Sequence, residues 1–358
     1  MLNKQSPIPL YYQLMEDIKA RIASGEICPG DKLPSESQMM EQYGVSRLTV
    51  REALSNLVNE GLLVKKHGKG TYCRDEGRKE VHLNIDVLLN TKNEYFIPYY
   101  VRGISEVLTQ NNANFIIHDT HNDPEVIGRI IRKVIDRGTD GLIIQPDLKS
   151  TVLSPYVMES FAMLAETDTP YIMVGSNYPQ LDCSCVTLDE IEGSRTAVRS
   201  LILGGHKHIC GIYRGAIRDS MIRAEGYEIE MRASKLNPHV YLIAEDDSDL
   251  EAAVDKLLAD VPNVTGIVCH NDEVALATVR YLWSLGKRVP DDVSVIGFDN
   301  SLLATRSDIA MTTIIHPKDR MGRLAATKIL DIIRDGEKFQ YKYVPQLIQR
   351  DSSCDLIR

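Results

Sequence analysis

Residues 35–73 read SESQMMEQYGVSRLTVREALSNLVNEGLLVKKHGKGTYC, and their punctuation settles the fold of the first part of the chain. Ser35 followed three residues later by Gln38 is a capping-box signature, in which side chain and backbone satisfy each other's free N–H groups at a helix start. Gly44 supplies the stop. Ser46 is a good cap for the next helix, which the pattern carries to about Asn59. Val50, Ala53, Leu54 and Leu57 give that helix a buried face, and Gly61 ends it. Leu62-Leu63-Val64 and Thr71-Tyr72-Cys73 then flank Lys65-Lys66-His67-Gly68-Lys69-Gly70, a small hairpin with a basic, glycine-rich tip. Upstream, Tyr11, Leu14, Ile18 and Ile22 recur at helical spacing over 8–24; Gly25 can close that helix, and Pro29-Gly30 marks a turn. Three helices and a basic hairpin make a winged helix-turn-helix over residues 1–73.

Such a head suits double-stranded DNA. The Val45-Ser46 turn brings the third helix to the major groove by its N-terminal end. Arg47 and Arg51, four apart, share one exposed face, with Thr49 beside them. Arginine is the side chain best fitted to read guanine in two-pronged fashion or to hold a phosphate. Lys66, His67 and Lys69, set among glycines, can lie close against the backbone or minor groove. Any one of these basic residues also reads as part of a solvated face; the order of caps, glycines and charges argues against that for the set. The net charge of −9 does not contradict DNA binding. Residues 1–76 carry ten basic and ten acidic side chains, so the whole excess sits on the remainder, and residues 46–74 are locally basic.

Residues 74–82 are polar without an apolar pattern and read as a linker. From residue 83 to 358 short apolar runs alternate with helical stretches. The runs are 85–89, 115–118, 141–144, 171–174, 208–213, 266–269 and 293–297. Helices are expected at 124–137, opened by Asp123-Pro124, and at 249–259, opened after Ser248. This alternation implies parallel sheets covered on both faces, and the length implies two lobes, so the chain is α/β and multidomain. In such sheets ligands bind beyond the carboxyl ends of the strands. The residues there are Asn90 through Phe96, Gln145, Ser176-Asn177, Cys269-His270-Asn271-Asp272 and Gly297-Phe298-Asp299. Amides, carboxylates and aromatic faces in one place are what a polyhydroxylated sugar needs. Each residue has a plainer reading: Asp272 as a helix N-cap, Tyr95 and Phe96 as core, Arg223 as a surface ion pair.

Composition narrows the class. With 358 residues, 43% hydrophobic and 25% charged, the chain has the balance of a soluble globular protein. No apolar run is long enough to span a bilayer, and the N-terminus lacks a secretory signal, so a cytoplasmic location without membrane contact is expected. Seven scattered cysteines make no disulfide framework, and Cys183-x-Cys185 has no partner at zinc spacing, so no metal or cofactor is expected. No dinucleotide fingerprint, phosphate loop or nucleophile elbow supports an enzyme. A sugar-modifying enzyme and an unregulated sugar receptor remain as rival readings.

Residues 7–73 resemble GntR-type winged-helix regulators. The matching landmarks include Pro9-Leu10-Tyr11, Leu33-Pro34-Ser35-Glu36, Gly44-Val45-Ser46-Arg47, Thr49-Val50-Arg51, Glu60-Gly61-Leu62 and Gly68-x-Gly70-Thr71. The resemblance implies DNA contacts from Ser46, Arg47, Thr49, Arg51 and the wing at His67-Gly68, to which the basic wing tip adds Lys69. Ser37 departs from the arginine found there in several relatives, and Lys32 is the candidate to replace it. Residues 83–352 resemble the LacI/GalR family of sugar-binding regulator domains, related to periplasmic sugar receptors. Here the landmarks are Val101-Arg102-Gly103-Ile104, Asp140-Gly141-Leu142-Ile143, Asn271-Asp272-Glu273, Val289 through Asp299, and Thr312-Thr313. The pairing of the two is similar to the arabinose repressors of Gram-positive bacteria. It implies a two-lobed periplasmic-binding-protein-like α/β/α effector domain, a homodimer on operator DNA, and a small-molecule effector, L-arabinose or a related sugar, that releases the operator. It also implies effector contacts from Tyr95, Arg223, Asn271, Asp299 and His316, to which the strand-end reading adds Phe96 and Gln145. Gln145 stands where that subgroup carries a carboxylate, and the loop Gly215–Met221 also departs. Both leave room for another sugar or for a non-sugar effector such as a nucleobase.

Overall fold

The computed structural model describes residues 9–66, 70–73, 83–91, 97–150 and 152–356. Two compact units divide at Val81 and His82, within the stretch read as a linker.

The first unit holds α1 (Leu10–Ala23), α2 (Glu36–Tyr43), α3 (Arg47–Asn59), β1 (Leu63–Lys66) and β2 (Gly70–Cys73). Its boundaries follow from local chemistry. The Ser35 hydroxyl accepts from the Gln38 N–H while the Gln38 side chain accepts from the Ser35 N–H, and Gly44 closes α2 at φ +63°. The Ser46 hydroxyl accepts from the Thr49 N–H to start α3. Leu14, Ile18, Met39, Val50, Leu57 and Leu63 are buried together, one stripe from each helix and one residue from the wing. β1 and β2 pair antiparallel with Lys66 opposite Gly70.

The second unit has two sheets. The first lobe runs through β3 (Asn84–Leu89), α4 (Ile97–Gln110), β4 (Asn114–Asp119), α5 (Pro124–Arg137), β5 (Gly141–Ile144), α6 (Pro155–Glu166), β6 (Tyr171–Gly175) and β7 (Ser184–Leu188). The chain then builds the second lobe. Its elements are α7 (Glu190–Leu203), β8 (Ile209–Arg214), α8 (Arg218–Ala233), β9 (Val240–Ile243), α9 (Leu250–Asp260), β10 (Gly266–Cys269), α10 (Asp272–Ser284), β11 (Ser294–Asp299), the short α11 (Leu303–Arg306) and β12 (Thr312–Ile315). It returns to the first lobe for α12 (Lys318–Asp335) and β13 (Gln340–Tyr343), and ends in the second with β14 (Leu347–Ile348). Strand order is β13-β7-β6-β5-β3-β4 in one sheet and β14-β12-β11-β10-β8-β9 in the other. Every pairing is parallel except β12 with β14. The chain therefore crosses between lobes three times, at Asp189, at His316-Pro317 and at 344–346.

α4 and α12 pack at backbone distance because each offers a glycine. A Cβ on Gly103 would collide with the Asp319 carbonyl oxygen, and one on Gly322 would lie 2.7 Å from that of Tyr100. The expected strands all appear. Strands β7, β9, β12, β13 and β14 come in addition; β9, β13 and β14 lie at sheet edges, and the interior strands β7 and β12 interrupt the apolar pattern with Ser and Thr. The expected helix 249–259 begins one residue later, at Leu250. Ser248 does not cap it; the N-cap position is Asp249, whose carboxylate instead accepts from the Ala244 N–H.

Candidate functional site

Two surfaces carry the residues singled out by the sequence. On the head, Ser46, Arg47, Thr49 and Arg51 lie together at the leading end of α3. The Ser46 and Thr49 hydroxyls sit 2.9 Å apart and share the cap. Arg47 and Arg51 do converge, but on an anion: Glu36 of α2 accepts from Arg51 Nε at 3.2 Å and stands 3.7 Å from Arg47 Nε. Both arginines are about 60% exposed, so the pairs are weak and exchangeable for a phosphate or a base. Ser37, the departure in α2, accepts from Arg47 at 3.5 Å. Lys32 is exposed and bridges to Tyr72 of the wing, its stem next to Gly70. Leu48, which sequence reading passed over, stands 75% exposed between Arg47 and Thr49. His67, Gly68 and Lys69 lie outside the described residues.

In the body, the carboxyl ends of both sheets face a cleft of about 560 Å³. Gln145, Arg223, Asn271, Asp299 and His316 all line it, together with Asn90, Ser176 and His270. Tyr95 and Phe96 lie outside the described residues. Sequence reading did not find Tyr100, Asp219 or Glu190. Tyr100 and Asp219 stand on helices and line the cleft; Glu190 stands at a lobe crossing. A rule that looks only at strand ends passes over such positions.

Arg223 organises the floor. It is no surface ion pair: only 3% of it is exposed. Its Nε donates to Glu190 at 2.7 Å, Nη1 to the His270 carbonyl at 2.7 Å, and Nη2 to Asp299 at 3.3 Å, with the guanidinium 3.7 Å from the centre of the Phe298 ring. Lys318 donates to the Asp299 carbonyl at 2.6 Å, and the Tyr100 hydroxyl lies 3.1 Å from His316 Nε2. The Gln145 side chain accepts from the Asn90 N–H.

Asp272 corrects the reading of it as an N-cap. Asn271 is the cap, its side chain accepting from the Val274 N–H at 2.9 Å. Asp272 is fully buried and accepts from the Ser301 N–H and the Thr313 hydroxyl.

Burial and charge set the protonation states. Burial pushes the Glu190 carboxyl up to about 7, against the pull of Arg223. Burial acts the same way on Asp299, but Arg223 and Lys318 outweigh it and hold that carboxylate well below its usual range. Burial lowers both imidazoles: His316 to about 4, although Asp299 opposes the shift, and His270 well below its ordinary value with help from Arg223 and Arg214. At neutral pH the cleft thus offers a fixed carboxylate, a fixed guanidinium, neutral imidazoles and amides. Among the described residues of the cleft, Asn90 Oδ1, His270 Nδ1 and Asp299 Oδ2 are buried without a hydrogen-bond partner. Such groups cost free energy unless something meets them, and a ligand with several hydroxyls does so.

Among the described residues no helix is long and apolar enough to cross a membrane. Residues 10–73 match the family described as bacterial regulatory proteins, gntR family, and residues 198–353 match the periplasmic binding protein-like domain. The arabinose metabolism transcriptional repressor of Halalkalibacterium halodurans is 32% identical over 365 residues, covering 96% of each chain. That of Geobacillus stearothermophilus is 31% identical over 368 residues, covering 99% of this chain and 100% of the other. In fold, the second unit is like a LacI family transcriptional regulator from Enterococcus faecium, solved with bound ribose. The TM-score is 0.64 and the identity 24%, over 76% of this chain and 99% of that one. The chain belongs to the family of the arabinose metabolism transcriptional repressors, in which a gntR-family head is joined to a periplasmic binding protein-like body.

Proposed function

We propose that this repressor senses a neutral sugar, L-arabinose or a related one, in the cleft between its lobes, and that filling the cleft releases operator DNA. The observation that carries the reading is the convergence on one cleft of Arg223, Asp299, Asn271, Gln145 and two neutral imidazoles, with buried polar atoms of Asn90, His270 and Asp299 unmet among the described residues. The names of the two relatives support arabinose. The repressor works as a homodimer in the cytoplasm, two heads reading a two-fold symmetric site. On each half-site Ser46, Arg47, Thr49 and Arg51 approach base edges and phosphates, with Lys32, His67, Gly68 and Lys69 on the flanking backbone. A change in lobe arrangement on sugar binding alters how the heads are presented.

Melting the full chain in a panel of pentoses and hexoses tests the cleft. A sugar at one hundred times its dissociation constant stabilises by about 2.7 kcal/mol, which a thermal shift resolves readily. A shift with L-arabinose alone supports the reading as stated, and a shift with another sugar changes only the ligand. No shift with any sugar sinks it and turns attention to a nucleobase. Linkage gives a second readout: operator duplex must weaken the binding of that sugar by the factor with which the sugar weakens operator binding, ~5–150-fold. Equal sugar affinity with and without operator excludes the coupling.

Arg51→Ala is expected to cost ~1–3 kcal/mol of operator binding, measured by titration of labelled duplex at fixed salt. Loss of the exposed Glu36 pair contributes little to that figure. Unchanged affinity removes Arg51 from the DNA-reading set.

A further inference from the structure

The segment Gly215–Met221 lies at the start of α8 and reaches across the cleft. The N-cap position of α8, Ile217, offers no side-chain cap. The free N–H of Arg218 is satisfied instead by the carbonyl of Leu148 in the other lobe, at 2.7 Å. The Arg218 side chain makes the same crossing. Its Nη1 donates to the Ser150 carbonyl at 3.0 Å and its Nη2 to the Ser176 hydroxyl at 2.8 Å, and the guanidinium lies 5.8 Å from the Tyr178 ring centre. Asp219 steadies the group from its own lobe, 3.5 Å from Arg218 Nε and 3.4 Å from the Ser176 hydroxyl.

The receiving loop is preformed. The Asp147 carboxylate accepts from the N–H groups of Lys149 and Ser150 and from the Tyr178 hydroxyl, and Asn122 accepts from the Leu148 N–H. These bonds fix the Leu148 and Ser150 carbonyls as acceptors. The contact therefore joins two rigid surfaces and has two states, made or broken.

We propose that Arg218 is an inter-lobe latch: a positioning residue that holds the lobes closed and so sets how much effector is needed to release DNA. The inference rests on the proposed sugar cleft for its consequence but not for its existence. Apparent affinity for a ligand of the closed form scales with the fraction of protein already closed. Breaking the latch lowers that fraction, so sugar binds more weakly while the heads keep their operator-binding form. Arg218→Lys keeps the charge but not the planar fork that spans Ser150 and Ser176, so it moves in the same direction by less.

Hydrogen exchange at the amide of residue 218 reads closure directly, because that N–H is itself bonded across the cleft. In the full chain without sugar, Arg218→Ala is expected to speed this exchange roughly tenfold or more, with the amides of α12 unchanged as a check on folding. L-Arabinose, followed by D-ribose, is then titrated against wild type and both variants bound to labelled operator. The half-release concentration is expected to rise roughly 10–100-fold in Arg218→Ala and less in Arg218→Lys, with sugar-free operator binding as tight as wild type or tighter, because fewer molecules start in the closed, operator-releasing form. Unaltered exchange at residue 218 overturns the latch, even if sugar binding is lost, since Arg218 then acts on the sugar itself. Faster exchange with an unaltered release concentration overturns its regulatory role. If neither sugar releases wild type, the sugar reading has failed, and the exchange result still decides whether the latch exists.

Discussion

Arg223→Met is expected to lower the stability of the body by about 3–5 kcal/mol and to abolish the response to effector. Arg223 is the cation between two buried carboxylates, Glu190 at 2.7 Å and Asp299 at 3.3 Å. Removing one partner of a buried ion pair strands the other in a medium of low polarity, which is costlier than never having buried the pair. The deficit depends on pH with a definite sign. The folded-state value for Glu190 is already raised to about 7, so the stability tied to its protonated form is complete below its unfolded value and lost as pH rises through the folded one. Without Arg223 the charged form loses its main support, and the deficit is larger at pH 8 than at pH 6. Urea unfolding at both values measures it. Arg223→Met combined with Glu190→Gln recovers part of the loss at pH 8; equal deficits at the two values would falsify the account.

Gly103→Val prevents the first lobe from closing. In an ordinary helix, replacing glycine by alanine gains up to about 1 kcal/mol of helix propensity. Here a Cβ collides with the Asp319 backbone carbonyl, and neither α4 nor α12 can give way without moving a whole helix. Overpacking of a well-fitted contact costs about 1–3 kcal/mol and more when the obstacle is main chain, so the clash wins even for alanine. The expected results are a marginally stable Gly103→Ala and a Gly103→Val chain that is soluble only through its head. Circular dichroism and melting of the two variants decide it; wild-type melting of Gly103→Ala contradicts the packing described.

What the sequence disclosed was what local chemistry encodes. The capping box at Ser35, the stop at Gly44 and the cap at Ser46 involve partners three or four residues apart, so the head was legible almost residue by residue. The cleft was legible where strands end, at Gln145, Asn271 and Asp299. Asn271 and Asp272 are equally good caps on intrinsic grounds; the choice between them was made by Thr313, 41 residues from Asp272. The burial of Arg223 depends on Glu190 and Asp299, 33 and 76 residues away. No periodicity announces a charge held by such distant partners, and Tyr100 and Asp219 were missed for the same reason.

The three crossings between lobes carry a consequence for synthesis. Domains fold in order as they leave the ribosome. The head is one uninterrupted stretch and can close once residue 73 has emerged. Neither body lobe can: the first sheet waits for β13, from residues 340–343, and the second for β14, at 347–348. Until nearly the last residue is made, β7 and β12 stand as open sheet edges on a tethered chain. Such edges are the surfaces on which unfinished proteins associate wrongly. A message cut short before codon 340 yields a finished DNA-binding head attached to a body that cannot be completed.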